Sequence, residues 1–157
     1  MDLARLVALT LHTVGFVIAC GYYVILARVI LPGLVATLDG PAVGRTLLMV
    51  ERRALPLLVV AIILFATTGT YLMLTDPSYH GLGAIRDPWS SMMLLKHLVV
   101  VAFVGVGAAV DWLIRLVDEA EDEPTRAVAL RRVRRTTDAA VVLGAVIVLL
   151  TAAAQLS

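Results

Sequence analysis

Arg52-Arg53-Ala54-Leu55-Pro56-Leu57-Leu58-Val59-Val60-Ala61-Ile62-Ile63-Leu64-Phe65-Ala66-Thr67-Thr68-Gly69-Thr70-Tyr71-Leu72-Met73-Leu74-Thr75-Asp76-Pro77 decides the fold. No charged residue stands between Arg53 and Asp76. At 1.5 Å per residue this run of about 22 residues crosses the ~30 Å hydrocarbon layer of a bilayer. Backbone groups in lipid must be satisfied within the segment, so the run is expected to be a helix.

Working outward, three more runs have the same character. The first covers about residues 3–31 and meets Pro32-Gly33, the third about 88–117, and the fourth about 137–155. The first is too long for a signal-peptide core of about 7–15 residues, so it is expected to remain as a span. Asp2 and Asp87 are candidate helix caps, with Pro88 suited to the first turn of the third span. The expectation is one transmembrane domain over 1–157: an all-α, integral membrane, up-down four-helix bundle. Composition agrees, with 61% hydrophobic and 16% charged residues against 45–50% and about 25% in soluble domains. A net charge of +1 and the lack of a basic patch interleaved with aromatics argue against a nucleic-acid partner. The single cysteine, Cys20, forms no internal disulfide, and no Cys-x-x-Cys-His is present for covalent haem.

Orientation follows from the arginines. Arg28, Arg45, Arg52 and Arg53 flank the connection between spans one and two. Arg115, Arg126, Arg131, Arg132, Arg134 and Arg135 flank the connection between spans three and four. The positive-inside rule puts both connections in the cytoplasm and both termini outside, in a bacterial or archaeal cytoplasmic membrane. The acidic run 118–123 beside these arginines reads as a solvated hairpin, with lipid headgroups as the functional alternative.

Ionisable residues inside a span are costly and so mark function. His12 lies ten residues after Asp2, and His97 ten residues after Asp87, on spans that run parallel. Equal spacing sets both imidazoles about 15 Å below their helix starts. Across the diagonal of a bundle they have the separation of two axial ligands to one iron. The expectation is a bis-histidine haem b that transfers electrons, with a quinone or an outer-side redox protein as partner. Arg5, on the face of His12, and Arg86, before the third span, are the candidates for the propionates. Met93 shares the face of His97. Lys96 is either a snorkelling side chain or a catalytic one. His80 reads as an exposed turn residue. Met73, Met92, Met93 and Cys20 carry the alternative, a copper site of soft ligands. The threonines of Ala66-Thr67-Thr68-Gly69-Thr70 suit close helix contact or a quinone pocket.

Leu11-His12, Gly21 and Leu31-Pro32 together resemble the first span of HemJ-type protoporphyrinogen oxidases and of the related CopD-like membrane domain. Met49-Val50-Glu51-Arg52-Arg53 leading to Gly69 resembles their second-span entry, and Trp89 followed by Leu95-Lys96 a later span. The resemblance covers about residues 6–112. It implies a membrane bundle associated with haem b iron or with copper. For the HemJ group it implies an oxidoreductase using His12 and Lys96. Gly33 after Pro32, and Asp111-Trp112 where that group carries a histidine, depart from the oxidase pattern. The remaining expectation is a copper-handling protein, a homo-oligomer, or an accessory subunit of a larger membrane complex.

Overall fold

The computed structural model describes residues 2–79, 81 and 88–154. Arg86, His80, Asp87 and Gln155 lie outside the described residues. The elements are α1 (Leu3–Ile25), a π turn (Leu26–Ile30), α2 (Leu31–Thr37), α3 (Gly40–Leu74), α4 (Pro88–Glu119) and α5 (Glu123–Ala154). Four rods, Leu3–Thr37, Gly40–Leu74, Trp89–Glu119 and Glu123–Ala153, are long and apolar enough to cross a membrane. Consecutive rods are antiparallel neighbours. Arg5 faces Asp76 and Tyr22 faces Glu51 between α1 and α3, and Arg28 faces Asp138 between the first and last rods. The protein is a multi-pass, all-α, up-down bundle. α1 and α4 occupy one diagonal and meet chiefly where Tyr23 reaches Phe103 and Gly107.

Pro32 does not end the first rod. The Leu31 N–H reaches the Leu26 carbonyl five residues back. That widened turn relieves the clash a proline ring makes with the carbonyl four residues before it. The helix therefore runs on to Thr37. The second rod starts at Gly40, with Asp39 at its cap position and Pro41 in its first turn, well before Ala54. The arginine-rich connections are consequently helical. They extend the bundle past the hydrocarbon by roughly 20 Å, the length of residues 40–53 at 1.5 Å each.

This extension holds the tightest packing in the protein. Leu26, Val43, Leu47, Val110, Ile114, Val117, Val133 and Thr137 are all fully buried, and all lie within 26–53 or 110–138. On α5 the buried positions Ala129, Val133, Thr137, Ala140, Gly144 and Ile147 recur every three or four residues, the seam of a coiled-coil-like bundle. In water, burying these side chains gains free energy in proportion to area. In lipid that driving force is missing, and helices meet instead through small residues. Gly15 lets α1 approach α3 so closely that an added Cβ would lie 2.7 Å from the Ala61 carbonyl oxygen. Gly144 admits the Cys20 thiol in the same way. Outside these contacts, residues such as Leu57, Val60 and Ile63 face outward and suit acyl chains.

Candidate functional site

The lipid-embedded half that carries the chain termini is less tightly packed, and it contains two grooves and the side chains of His12, Lys96 and His97. His12 is held between α1 and α3. Its ring stacks on Phe65, with centroids 4.2 Å apart and planes 18° apart. Its Nδ1 lies 2.8 Å from the Phe65 carbonyl oxygen and 3.3 Å from Thr68 Oγ1. A carbonyl only accepts, so Nδ1 carries the hydrogen and donates it. In the neutral ring Nε2 then keeps a lone pair. Gly69 makes the room, since a Cβ there would sit 2.7 Å from His12 Cε1.

His97 repeats the arrangement on α4. Its Nδ1 is 2.6 Å from the carbonyl oxygen of Met93, one turn back on the same helix. Again Nδ1–H donates and Nε2 is the free acceptor. Metal-binding histidines are commonly oriented this way, with the second ring nitrogen donating to a carbonyl. His97 is exposed along a groove of about 220 Å³ between the end of α3 and the start of α4. Met73, Met93, Leu94, Trp89 and Tyr79 share that lining, and the Tyr79 and Trp89 rings stand edge to face. Two thioethers and one oriented imidazole thus open onto one small, largely apolar space.

Lys96 is half-buried beside His97 and forms no ion pair among the described residues. Arg5 is engaged with Asp76 at 2.9 Å, tying the terminal-side ends of α1 and α3. Cys20 packs against Gly144 on α5, and neither it nor Met92 lines the methionine groove.

The two histidines expected to share a haem b line separate grooves. His97 lines the groove between α3 and α4. His12 lines a second groove of about 260 Å³ with Thr13, Phe16, Phe65, Ile147 and Thr151. The two grooves share no residue, and each is smaller than the 300–1,000 Å³ usual for pockets of larger ligands. Of the two arginines expected near the propionates, Arg5 is paired with Asp76 and Arg86 lies outside the described residues.

Three polar features at the other end of the bundle escaped sequence reasoning. Glu51 is 3% exposed and accepts a hydrogen bond from the Tyr22 hydroxyl. Arg28 pairs with Asp138 at 3.2 Å. Arg126, 6% exposed, binds Glu123 and the Ala120 carbonyl and braces the turn between α4 and α5. The signal for Glu51 was its place on the apolar stripe of Val43, Leu47 and Leu58.

A family model described as copper resistance protein D (CopD) matches residues 50–154. The matched stretch includes Met73, Met93, Lys96 and His97 but not His12. No curated protein and no solved structure matches the chain.

Proposed function

The chain belongs to the copper resistance protein D family, and from that premise we propose that it handles copper(I) in the membrane, taking the ion at the groove of Met73, Met93 and His97. One observation carries the reading: the His97 Nδ1–H is fixed on the Met93 carbonyl, so Nε2 and two thioether sulfurs can serve one ion in one groove. Thioethers select soft copper(I) over hard cations. Among the described residues no group of three histidine, cysteine, aspartate or glutamate side chains is placed to hold a metal, which leaves a harder cation without a cage. His12, with its own oriented Nε2, is the next donor inward. Lys96 is the positioning charge. Its ammonium repels a nearby cation and keeps the ion exchangeable rather than trapped.

The arginine-rich extension belongs in the cytoplasm by the positive-inside rule. By the same rule the copper groove and both termini belong on the outer side of a bacterial or archaeal cytoplasmic membrane. Titration of purified protein with copper(I) against a chromogenic chelator tests the proposal. One equivalent is expected to bind. His97→Ala and the pair Met73→Leu with Met93→Leu weaken binding at least tenfold, and Lys96→Met tightens it. Unchanged affinity in the first two variants contradicts the assignment.

A second reading, protoporphyrinogen oxidase, rests on the resemblance that gives His12 and Lys96 the functional positions of the HemJ group. It predicts that the protein rescues a strain lacking that activity, and that His12→Ala and Lys96→Met abolish rescue.

A further inference from the structure

The cytoplasmic extension carries its charges in two layers. Asp39, Glu119, Glu121, Asp122 and Glu123 gather at its tip, at the cap of α3 and the turn between α4 and α5. The arginines sit nearer the hydrocarbon. On α3 these are Arg45, Arg52 and Arg53, all exposed; on α5 they are Arg131, Arg132, Arg134 and Arg135, also exposed. None of these seven forms an ion pair among the described residues, whereas Arg28, Arg115 and Arg126 each have a carboxylate. α3 and α5 stand on opposite corners of the bundle, so the free guanidinium groups project on two flanks. Arg28 on the first rod and Arg115 on α4 complete the ring. Trp112, 56% exposed and one turn from Arg115, marks the same level, as tryptophans do at a membrane boundary.

The arrangement has a physical consequence. The carboxylates level with the collar are already engaged, Asp138 with Arg28, Asp111 with Arg115 and Glu51 with Tyr22, and the acidic group at the tip lies away from it along the bundle axis. The apolar faces of the spans begin at once beyond Arg53. Arg45 and Arg53 are eight residues apart, about 12 Å along the axis, and arginine stems can snorkel toward the headgroup layer. The planar guanidinium matches a phosphate in two-point hydrogen bonding. We propose that this collar is a binding surface for anionic phospholipid headgroups of the adjoining leaflet, which supply the counter-charge the chain itself withholds. The inference is independent of copper. It commits to lipid rather than soluble phosphate because the collar borders the acyl-facing surface on both flanks.

Trp112 is a built-in reporter. In a Trp89→Phe background it is the sole tryptophan, since the chain has two. The protein is reconstituted in vesicles holding equal amounts of phosphatidylcholine and phosphatidylglycerol, with one or the other brominated to quench nearby fluorescence. At about fivefold per arginine contact, brominated phosphatidylglycerol is expected to quench several-fold more effectively at 0.1 M salt. That preference falls toward unity at 1 M salt as charges are screened. The variant Arg52→Gln, Arg53→Gln, Arg134→Gln, Arg135→Gln loses it while keeping wild-type helical content by circular dichroism. Equal quenching by both lipids in wild-type protein overturns the proposal, and so does a preference that survives 1 M salt unchanged. Abolition of the preference by 50 mM inorganic phosphate at constant ionic strength overturns it in favour of a soluble anion.

Discussion

Adding one methyl group at two glycines of the first rod should have opposite effects. At Gly15 a Cβ would lie 2.7 Å from the Ala61 oxygen, 3.1 Å from the Phe65 nitrogen and 3.2 Å from the Phe65 Cβ. At Gly21 it would meet nothing within 4 Å. Both sites are in α1, so both Gly→Ala changes gain about 1 kcal/mol of helix propensity, and that gain cancels in the comparison. What remains is the contact. Backbone cannot rotate aside as a side chain can, so α1 must withdraw from α3 by about 0.7 Å to turn 2.7 Å into the 3.4 Å of ordinary contact. Overpacking of this kind costs about 1–3 kcal/mol. The movement also stretches the 2.8 Å bond from His12 to the Phe65 carbonyl, and loss of such a bond costs about 0.5–1.5 kcal/mol. Gly15→Ala should therefore be less stable than Gly21→Ala by about 1.5–4.5 kcal/mol. Reversible unfolding of both variants in mixed micelles, followed by far-ultraviolet circular dichroism, reads the difference. Free energies within about 0.5 kcal/mol of each other would refute the close approach of α1 and α3 at this level.

Other consequences follow from the same packing. Leu47, fully buried in the arginine-rich extension, should cost about 2–5 kcal/mol when changed to alanine. Leu57, 57% exposed toward lipid, should cost about 0.5 kcal/mol or less; equal costs in the same unfolding assay would show that the extension is not the tight core. Tyr22→Phe removes the hydroxyl bound to buried Glu51 and should destabilise by about 1–3 kcal/mol. Restoration of stability by adding Glu51→Leu would confirm that the unpaired carboxyl was the cause. Asp122 accepts from the Thr125 N–H at 2.7 Å and from its hydroxyl at 3.0 Å, bonds that hold its carboxyl below the usual aspartate range. A lowered folded-state pKa means that the cap contributes fully above the ordinary value near 3.9 and is lost as pH falls through the folded one. Amide-exchange protection at the start of α5 should hold down to about pH 4 and then decline, and Asp122→Ala should remove it at neutral pH; protection unchanged in that variant would refute the cap.

The four crossings were legible because a run such as 54–75 has one physical solution in lipid. Their extension into water was not. Arginines from 126 to 135 read as connection markers, yet Ala129, Val133 and Thr137 recur among them at helical spacing and bury a seam. Pro32-Gly33 read as a terminus because the π turn that accommodates the proline has no sequence signature of its own. For the site, counting residues speaks to the expected height of His12 and His97 but not to their direction around each helix. Rotation about the axis decides whether two rings face each other, and it is set by contacts such as Gly69 against His12 that only the packed structure reveals. Met93 and His97, four apart on one helix, were legible as one face. Their partnership with Met73 required knowing that the end of α3 lies beside the start of α4.

X-ray absorption at the copper edge of protein loaded with one equivalent of copper(I) addresses the central assignment most directly. Copper held by Met73, Met93 and His97 gives a first shell containing both sulfur and imidazole nitrogen, and the sulfur contribution disappears when both methionines are replaced by leucine. A shell of nitrogen and oxygen alone, or a spectrum indifferent to those replacements, would place the ion elsewhere and contradict the account.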